Sequence, residues 1–322
     1  MDWIQINPQL LGSFPPDSRY LIGVSGGRDS IVLLHRLLDL GYCKLTVCHL
    51  NHQLRGRSSQ ADSRFVEKVV ATLNKKFVGH VDFDPGSADV RALAKGNKTS
   101  IEAAAREARY SFFAGVSKRQ RCHTIFLAHH ADDLVETFLI NLFRGAGATG
   151  LAAMREVSTR RIGDVDLTIV RPLLSIWRNE IDIYVRERRL KFREDASNKN
   201  LAPLRNRIRR RIIPFLEKTL GRSIRQNIWR TAVIAAEEEN WIESQLPNAM
   251  GIDLSVKELR KRPLAYQRRQ ILKWLRAQNV SEIGFEVIER VRSLLDPGSR
   301  TAKTNLPQNR HVRRRAGKLF LE

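Results

Sequence analysis

Tyr20-Leu21-Ile22-Gly23-Val24-Ser25-Gly26-Gly27-Arg28-Asp29-Ser30 decides how this chain folds. A short apolar run leads into two adjacent glycines. Beyond them Ile31, Leu34, Leu37 and Leu38 fall on one helical face, with Gly41 placed to end the helix. The spacing predicts strand, glycine turn, helix. Glycine leaves no Cβ in the way and accepts positive φ, so successive backbone N–H groups can wrap an anion, and the helix that follows points its positive end at the same place. The stretch reads as a phosphate site. It is not a Walker loop, because no G-x-x-x-x-G-K-S/T occurs. The competing reading is a tight turn in which Asp29 or Ser30 caps the helix.

Working outward, residues 44–50 predict a second strand that ends at His49-Leu50-Asn51-His52. A helix follows from about Ser59, with Phe65, Val66, Val69, Val70, Leu73 and Phe77 at helical spacing, and residues 78–83 read as a third strand. Ser100 is an N-cap for a helix over 100–118 whose stripe is Ile101, Ala104, Ala105, Ala108 and Phe112. Residues 124–128 suggest a buried strand, 131–144 a helix with Leu134, Val135, Phe138, Leu139 and Leu142 inward, and 166–170 a further strand. Strands alternating with helices imply an α/β fold, a parallel doubly wound sheet. Ligands in such sheets sit beyond the carboxyl ends of the strands, where Ser25, His49, Asn51 and His129 should converge.

From Ile176 onward strands are scarce and basic helices dominate. A boundary near residue 216 gives a catalytic domain at 1–216 and a smaller, mainly helical C-terminal domain at 217–322, with helices near 264–275 and 285–295 and short strands around turns at 306–309 and 313–319.

With 56 Lys and Arg against 34 Asp and Glu the net charge is +22. That excess argues against an enzyme handling only small metabolites and for a polyanionic partner. Arg205, Arg207, Arg209, Arg210 and Arg211 concentrate it where phosphates would be met. The first residues, Met1-Asp2-Trp3-Ile4-Gln5, lack a basic and apolar leader, and no apolar run reaches membrane-span length, so a cytoplasmic protein with no membrane partner is expected. Cys43, Cys48 and Cys122 have no C-x-x-C spacing and read as buried thiols.

Two loops carry dense chemistry. His49 to Gly56 sets two histidines, an amide and Arg55 just after a strand, either as a functional loop or as a polar surface. His129-His130-Ala131-Asp132-Asp133-Leu134-Val135-Glu136-Thr137 places carboxylates on the first turns of a helix. There Asp132 is as well explained by capping as by catalysis, while Glu136 lies deeper; such a pair can hold a cation, and His129 can touch a nucleotide or move a proton. Arg144-Gly145 reads as a helix end or a phosphate contact, and Glu102, Arg106 and Arg109 as a surface ion pair or arginines aimed at the nucleotide.

Together with Ser100-Ile101-Glu102-Ala103-Ala104-Ala105-Arg106, Arg171-Pro172-Leu173-Leu174 and Glu194-Asp195-Ala196-Ser197-Asn198, these elements resemble the tRNA(Ile)-lysidine synthetases in order and spacing over the first two thirds of the chain. The glycine loop alone resembles the wider superfamily of PP-loop ATP pyrophosphatases, with its Rossmann-like fold. The resemblance implies a ligase for tRNA modification. The 2-oxo oxygen of the wobble cytidine in the CAU anticodon of tRNA(Ile) attacks the α-phosphate of ATP, and free L-lysine then displaces AMP to form lysidine. It implies ATP binding by Ser25, Gly26, Gly27, Arg28, Asp29 and Ser30, with Asp29 a ligand for Mg²⁺. His129 would contact the adenylate, and Asp133 and Glu136 would take the lysine amine. Arg55, Arg106, Arg109, Arg144, Arg205 and Arg207 are the candidates for tRNA or phosphate contacts. The C-terminal part resembles the family's small tRNA-binding domain, and no counterpart is expected for the further C-terminal domain of longer members. A homodimer is compatible with the reading. Leu134 stands where relatives often carry Gln. The alternatives are a PP-loop tRNA thiolase and a non-catalytic RNA-binding module.

Overall fold

A computed structural model describes residues 4–54, 56–77, 80–193, 204–247, 251–298 and 300–322. In chain order the first elements are α1 (Pro8–Ser13), β1 (Tyr20–Gly23), α2 (Arg28–Asp39), β2 (Lys44–Asn51), α3 (Arg57–Lys76) and β3 (His80–Ser87). There follow α4 (Val90–Gly96), α5 (Ile101–Gln120), β4 (Thr124–Phe126), α6 (Ala131–Phe143), α7 (Ala148–Leu151), β5 (Val157–Ile162), β6 (Val165–Val170) and α8 (Arg178–Glu187). The chain continues through α9 (Leu204–Arg207), a π-helical turn (Ile208–Ile212), α10 (Ile213–Leu220), α11 (Arg225–Ser244), β7 (Asp253–Ser255), α12 (Val256–Arg260), α13 (Leu264–Ala277), α14 (Phe285–Ser293), β8 (Lys303–Asn305), β9 (His311–Arg315) and β10 (Lys318–Leu321). Two compact units divide the chain, one made of Met1–Thr137 with Met154–Trp229, the other of Phe138–Ala153 with Arg230–Glu322.

The first unit holds a six-stranded sheet in the order β3-β2-β1-β4-β6-β5. All its pairings are parallel except β5 with β6. β1 is central, and Tyr20, Leu21 and Ile22 are buried as a strand covered on both faces requires. The order reverses between β1 and β4, and a crevice opens at such a switch point. The glycine turn leaves β1 there, and His129 and His130 follow β4.

The expected elements recur with shifts that have physical causes. α2 begins after Gly27, and Gly41 at φ +86° lets Tyr42 N bond Leu37 O at 3.0 Å to close it. Ser100 caps α5 by accepting from Ala103 N at 3.1 Å. The third strand runs over His80–Ser87 instead of 78–83, and residues 78 and 79 lie outside the described ones. Ile101 and Leu142 are exposed, at the ends of their helices, so the inward stripes are shorter than the periodicity suggests. β5, Val-Ser-Thr-Arg-Arg-Ile, has no counterpart among the expected strands, since an antiparallel edge strand without a buried face carries no apolar alternation. Cys48 and Cys122 are buried as expected, whereas Cys43 is only half-buried.

The second unit contains an antiparallel sheet in the order β7-β10-β9-β8 over a core of Ile271, Trp274, Leu275, Val291, Val312 and Leu319. Gln308 and Asn309 make the turn between β8 and β9, and Ala316-Gly317 the tight one between β9 and β10, all four at positive φ. Within this unit the buried Glu239 is held by Arg269, whose Nη1 donates at 2.8 Å.

Candidate active site

The glycine turn is built as an anion cradle. Gly26 has φ +87°, and a Cβ there would stand 3.2 Å from Val66 Cγ2. Gly27 is the residue before α2, and no side chain caps that helix, so its first amides remain available to a ligand. Neither Asp29 nor Ser30 is the cap. Ser30 Oγ instead donates to Gly27 O at 2.9 Å, and Gly27 N donates to Ser25 Oγ at 3.2 Å, which rigidifies the turn. Behind it the segment after α8 closes down, with Arg193 N donating to Gly26 O at 2.9 Å and the Arg28 guanidinium 4.7 Å from the Phe192 ring centroid.

Two cavities meet at this turn and share Ser25, Gly27, Asp29 and Arg193. The smaller, about 440 Å³, has apolar walls from Val24, Leu50, Leu54, Phe113 and Leu127, together with His49, His52, His129 and Arg109. His49 Nδ1 is 2.8 Å from Val24 O, a contact that needs the proton on Nδ1 and leaves Nε2 as an acceptor. Burial pushes all three histidines down, His52 to about 4 and His129 to about 3, so each is neutral at physiological pH. His49 Nε2, His52 Nδ1 and His129 Nδ1 are buried without a hydrogen-bond partner among the described residues. Such atoms are costly unless a ligand satisfies them.

The larger cavity, about 690 Å³, is lined by charge, including Asp29, Asp132, Glu136, Arg178, Asp182 and Arg209. The sequence leaves the role of Asp132 open. Its carboxylate accepts from Arg178 N at 3.0 Å and so caps α8, while Asp133 reaches back to His130 N at 3.2 Å within its own helix. The buried His130 ring lies 3.5 Å from Asp133, 3.7 Å from Asp132 and 3.9 Å from Asp29. Glu136, 1 % exposed, is gripped by Arg209, whose Nη2 donates at 3.1 Å, and Arg205 Nε lies 3.5 Å away. Arg209 Nη2 also stands 3.4 Å from Asp133. Burial raises Glu136 above the usual carboxylate range despite Arg209. Burial would raise Asp133 too, but His130, His129 and the arginines outweigh it and hold that group low.

The arginines arrive from a helix whose hydrogen bonding widens by one residue, Ile213 N donating to Ile208 O. Pro214 has no N–H for the ordinary bond to residue 210, which accounts for the wide turn. Burial also raises Asp29, against the pull of His130 and Arg178. Its Oδ1 is buried and unpartnered among the described residues, whereas Oδ2 accepts from Arg178 Nη1 at 3.1 Å. A lone carboxylate oxygen beside an anion cradle suits Mg²⁺, which takes one or two carboxylates together with phosphate oxygens and water.

Ser25, Gly27, Arg28, Asp29, Ser30, His129, Glu136, Arg109 and Arg209 thus line one cavity or the other, Gly26 holds the turn between them, Asp133 joins through Arg209, and Arg205 through Glu136 and Thr137. Other candidates stand elsewhere. Arg106 is exposed with its guanidinium 5.4 Å from the Tyr110 ring, and no ion pair joins it to Glu102 among the described residues. Arg207 is exposed, and Arg144 is an exposed residue of the second unit. Arg55 and the Glu194 to Asn198 motif lie outside the described residues. His130, Arg178 and Asp182 are functional candidates that sequence reasoning misses. His130 is flanked in sequence by the more conspicuous His129 and Asp132, and Arg178 meets Asp29 across 149 positions, which no local pattern reveals.

Residues 4–216 match the model of the PP-loop domain, and residues 254–320 that of the TilS substrate binding domain. The tRNA(Ile)-lysidine synthase of Geobacter sulfurreducens is 36% identical over 92% of this chain, and the chain spans 63% of that relative's length. The tRNA(Ile)-lysidine synthase of Chlorobaculum tepidum is also 36% identical, covering 86% of this chain and 82% of its own. Among solved structures, the U34-tRNA thiolase NcsA from Methanococcus maripaludis shares the fold with a TM-score of 0.54 at 17% identity, over 73% of this chain and 75% of that one.

Proposed function

The chain belongs to the tRNA(Ile)-lysidine synthases, and on that premise we propose that it is an ATP-dependent ligase joining free L-lysine to the wobble cytidine of the tRNA(Ile) with a CAU anticodon. The observation that carries the reading is the pair of cavities meeting at the glycine turn. One is apolar-walled and suited to a nucleoside, the other is charged, and Asp29 faces both. A triphosphate laid across the turn would present its α-phosphate between them.

In the first step the cytidine 2-oxo oxygen bonds to the α-phosphorus and the bond to pyrophosphate breaks. The amides of the turn and Arg28 take up the charge of the leaving group. Asp29 would hold Mg²⁺, which when bound neutralises phosphate charge. In the second step the ε-amine of lysine bonds to C2 of the base, loses a proton, and AMP departs. An ammonium is not a nucleophile, so a base is needed. Glu136, raised by burial, is the better acceptor, and Asp133, held low, is the better anchor for an ammonium. Arg205 and Arg209 beside them suit the α-carboxylate of the same zwitterion. His129, with a pKa of about 3, serves as a neutral hydrogen-bonding group toward the adenylate and not as an acid. Residues 1–216 would carry this chemistry and 217–322 contribute tRNA contacts in a cytoplasmic enzyme. The target base sits in a single-stranded loop, so drawing it into the pocket costs little unstacking.

The test is incorporation of radiolabelled lysine into unfractionated bacterial tRNA, with and without ATP, followed by nucleoside analysis. ATP-dependent label in a modified cytidine is the expected result. Pyrophosphate release without label, in the presence of competent tRNA(Ile), would overturn it.

A further inference from the structure

Two arginines flank the glycine turn, and one carboxylate ties them together. Arg28 opens α2 and Arg178 opens α8, and Arg28 Nη1 donates to Asp182 Oδ1. Arg178 Nε lies 3.6 Å from that same oxygen, one turn along its own helix. The other end of Arg178 reaches back to the turn, with Nη1 3.1 Å from Asp29 Oδ2. All four side chains line the larger cavity, and the Arg178 side chain is 35% exposed.

Arg178 therefore has two carboxylates within reach, and one of them is the residue suited to a divalent cation. A guanidinium on one oxygen of Asp29 and a divalent cation on the other repel one another at close range. Asp182 offers the displaced guanidinium a second anchor with little movement. From there the fork of N–H groups still faces the cavity beside the turn, where it matches phosphate oxygens.

We propose that Arg178 is a stand-in cation. It occupies Asp29 while the nucleotide is absent, and passes to the β- and γ-phosphate oxygens, with Asp182 as its pivot, when a metal-bound triphosphate arrives. The inference rests on the reading that ATP binds at the glycine turn. Arg178 thereby competes with the metal before the nucleotide comes and supports the pyrophosphate group once it has come.

The test is Mn²⁺ binding to the nucleotide-free protein, followed by electron paramagnetic resonance, together with calorimetric titration of ATP, inorganic pyrophosphate and AMP in the presence of Mg²⁺. Arg178→Gln should bind Mn²⁺ about tenfold more tightly, bind ATP and pyrophosphate about tenfold more weakly, and leave AMP within about twofold. Arg178→Met should repeat the pattern, and Arg178→Lys should keep Mn²⁺ weak while restoring part of the pyrophosphate affinity. Damage to the fold would not move the two affinities in opposite directions. Unchanged or weaker Mn²⁺ binding in both neutral variants, or pyrophosphate affinity within twofold of the parent, would overturn the proposal. Failure of the unaltered protein to bind ATP or pyrophosphate at all would instead overturn the nucleotide reading beneath it.

Discussion

A methyl group added at Gly26 would stand 3.2 Å from Val66 Cγ2 on a backbone held at φ +87°. Gly26→Ala should therefore cost about 1–2 kcal/mol of stability through left-handed strain, read as a lower urea midpoint. Nucleotide affinity should fall as well, by about tenfold or more, because relieving the strain turns the amides away from the phosphates; an ATP dissociation constant equal to the parent's would refute the cradle. His129 makes a prediction about acid. Its folded pKa of about 3 lies below the unfolded value near 6.5. Between those limits the unfolded chain binds the extra proton, so stability is full above pH 6.5 and drains as pH falls. In denaturant titrations at pH 7.5 and 5.5, the parent should lose more stability on acidification than His129→Gln does. Equal losses would mean that His129 does not face a desolvated cavity.

At the scale of elements, the decisive contact joins α6 to the π-helical turn. Glu136 is 1 % exposed, and Arg209 is its main partner. Arg209→Ala strands a buried carboxylate, but Arg205 remains 3.5 Å away. The expected cost is about 2–3 kcal/mol, at or just under the usual range for breaking a buried pair. Adding Glu136→Gln should recover most of it, and a double variant no more stable than Arg209→Ala would show that the pair is not coupled. Neither this contact nor the wide turn is legible in the sequence. The arginine cluster and the carboxylates on α6 are each visible, one as a composition and the other as a spacing, but their meeting spans 73 positions. Strand, glycine turn and helix at 20–39 are legible because their signals are local, Gly-Gly after an apolar run and then helical periodicity. β5 is not, because among the described residues Val157–Ile162 pairs only with β6 at the sheet edge and none of its residues is fully buried. Asp132 shows the limit from the other side. Its first-turn position suggests a cap, and a cap it is, but for α8, 46 residues away.

For the molecule as a whole, a net charge of +22 is a statement about partners, and the structure sorts which arginines are available for one. Sequence alone assigns Arg205 and Arg207 together to tRNA. Arg205 donates to Thr137 Oγ1 at 2.7 Å and faces Glu136, whereas Arg207, Arg210 and Arg211 are exposed. The two functions of the chain should then separate by variant. Arg210 also lines the larger cavity, so it is left in place. Replacing Arg207 and Arg211 by Gln should weaken tRNA binding and flatten its dependence on salt. Every phosphate left without its cationic partner takes about 0.7–0.9 from the slope of log K against log salt, so a change of up to about 1.4–1.8 is expected for two. Pyrophosphate release at saturating tRNA should stay near the parent rate. Asp29→Asn should do the reverse, ending pyrophosphate release while leaving both tRNA affinity and its salt slope intact, because a single neutralised carboxylate in the nucleotide turn frees no tRNA phosphate. Filter binding at several salt concentrations beside a pyrophosphate assay reads both. Equal loss of tRNA affinity in the two variants would mean that the exposed arginines and the glycine turn act as one surface, and that the positive charge serves the nucleotide as much as the nucleic acid.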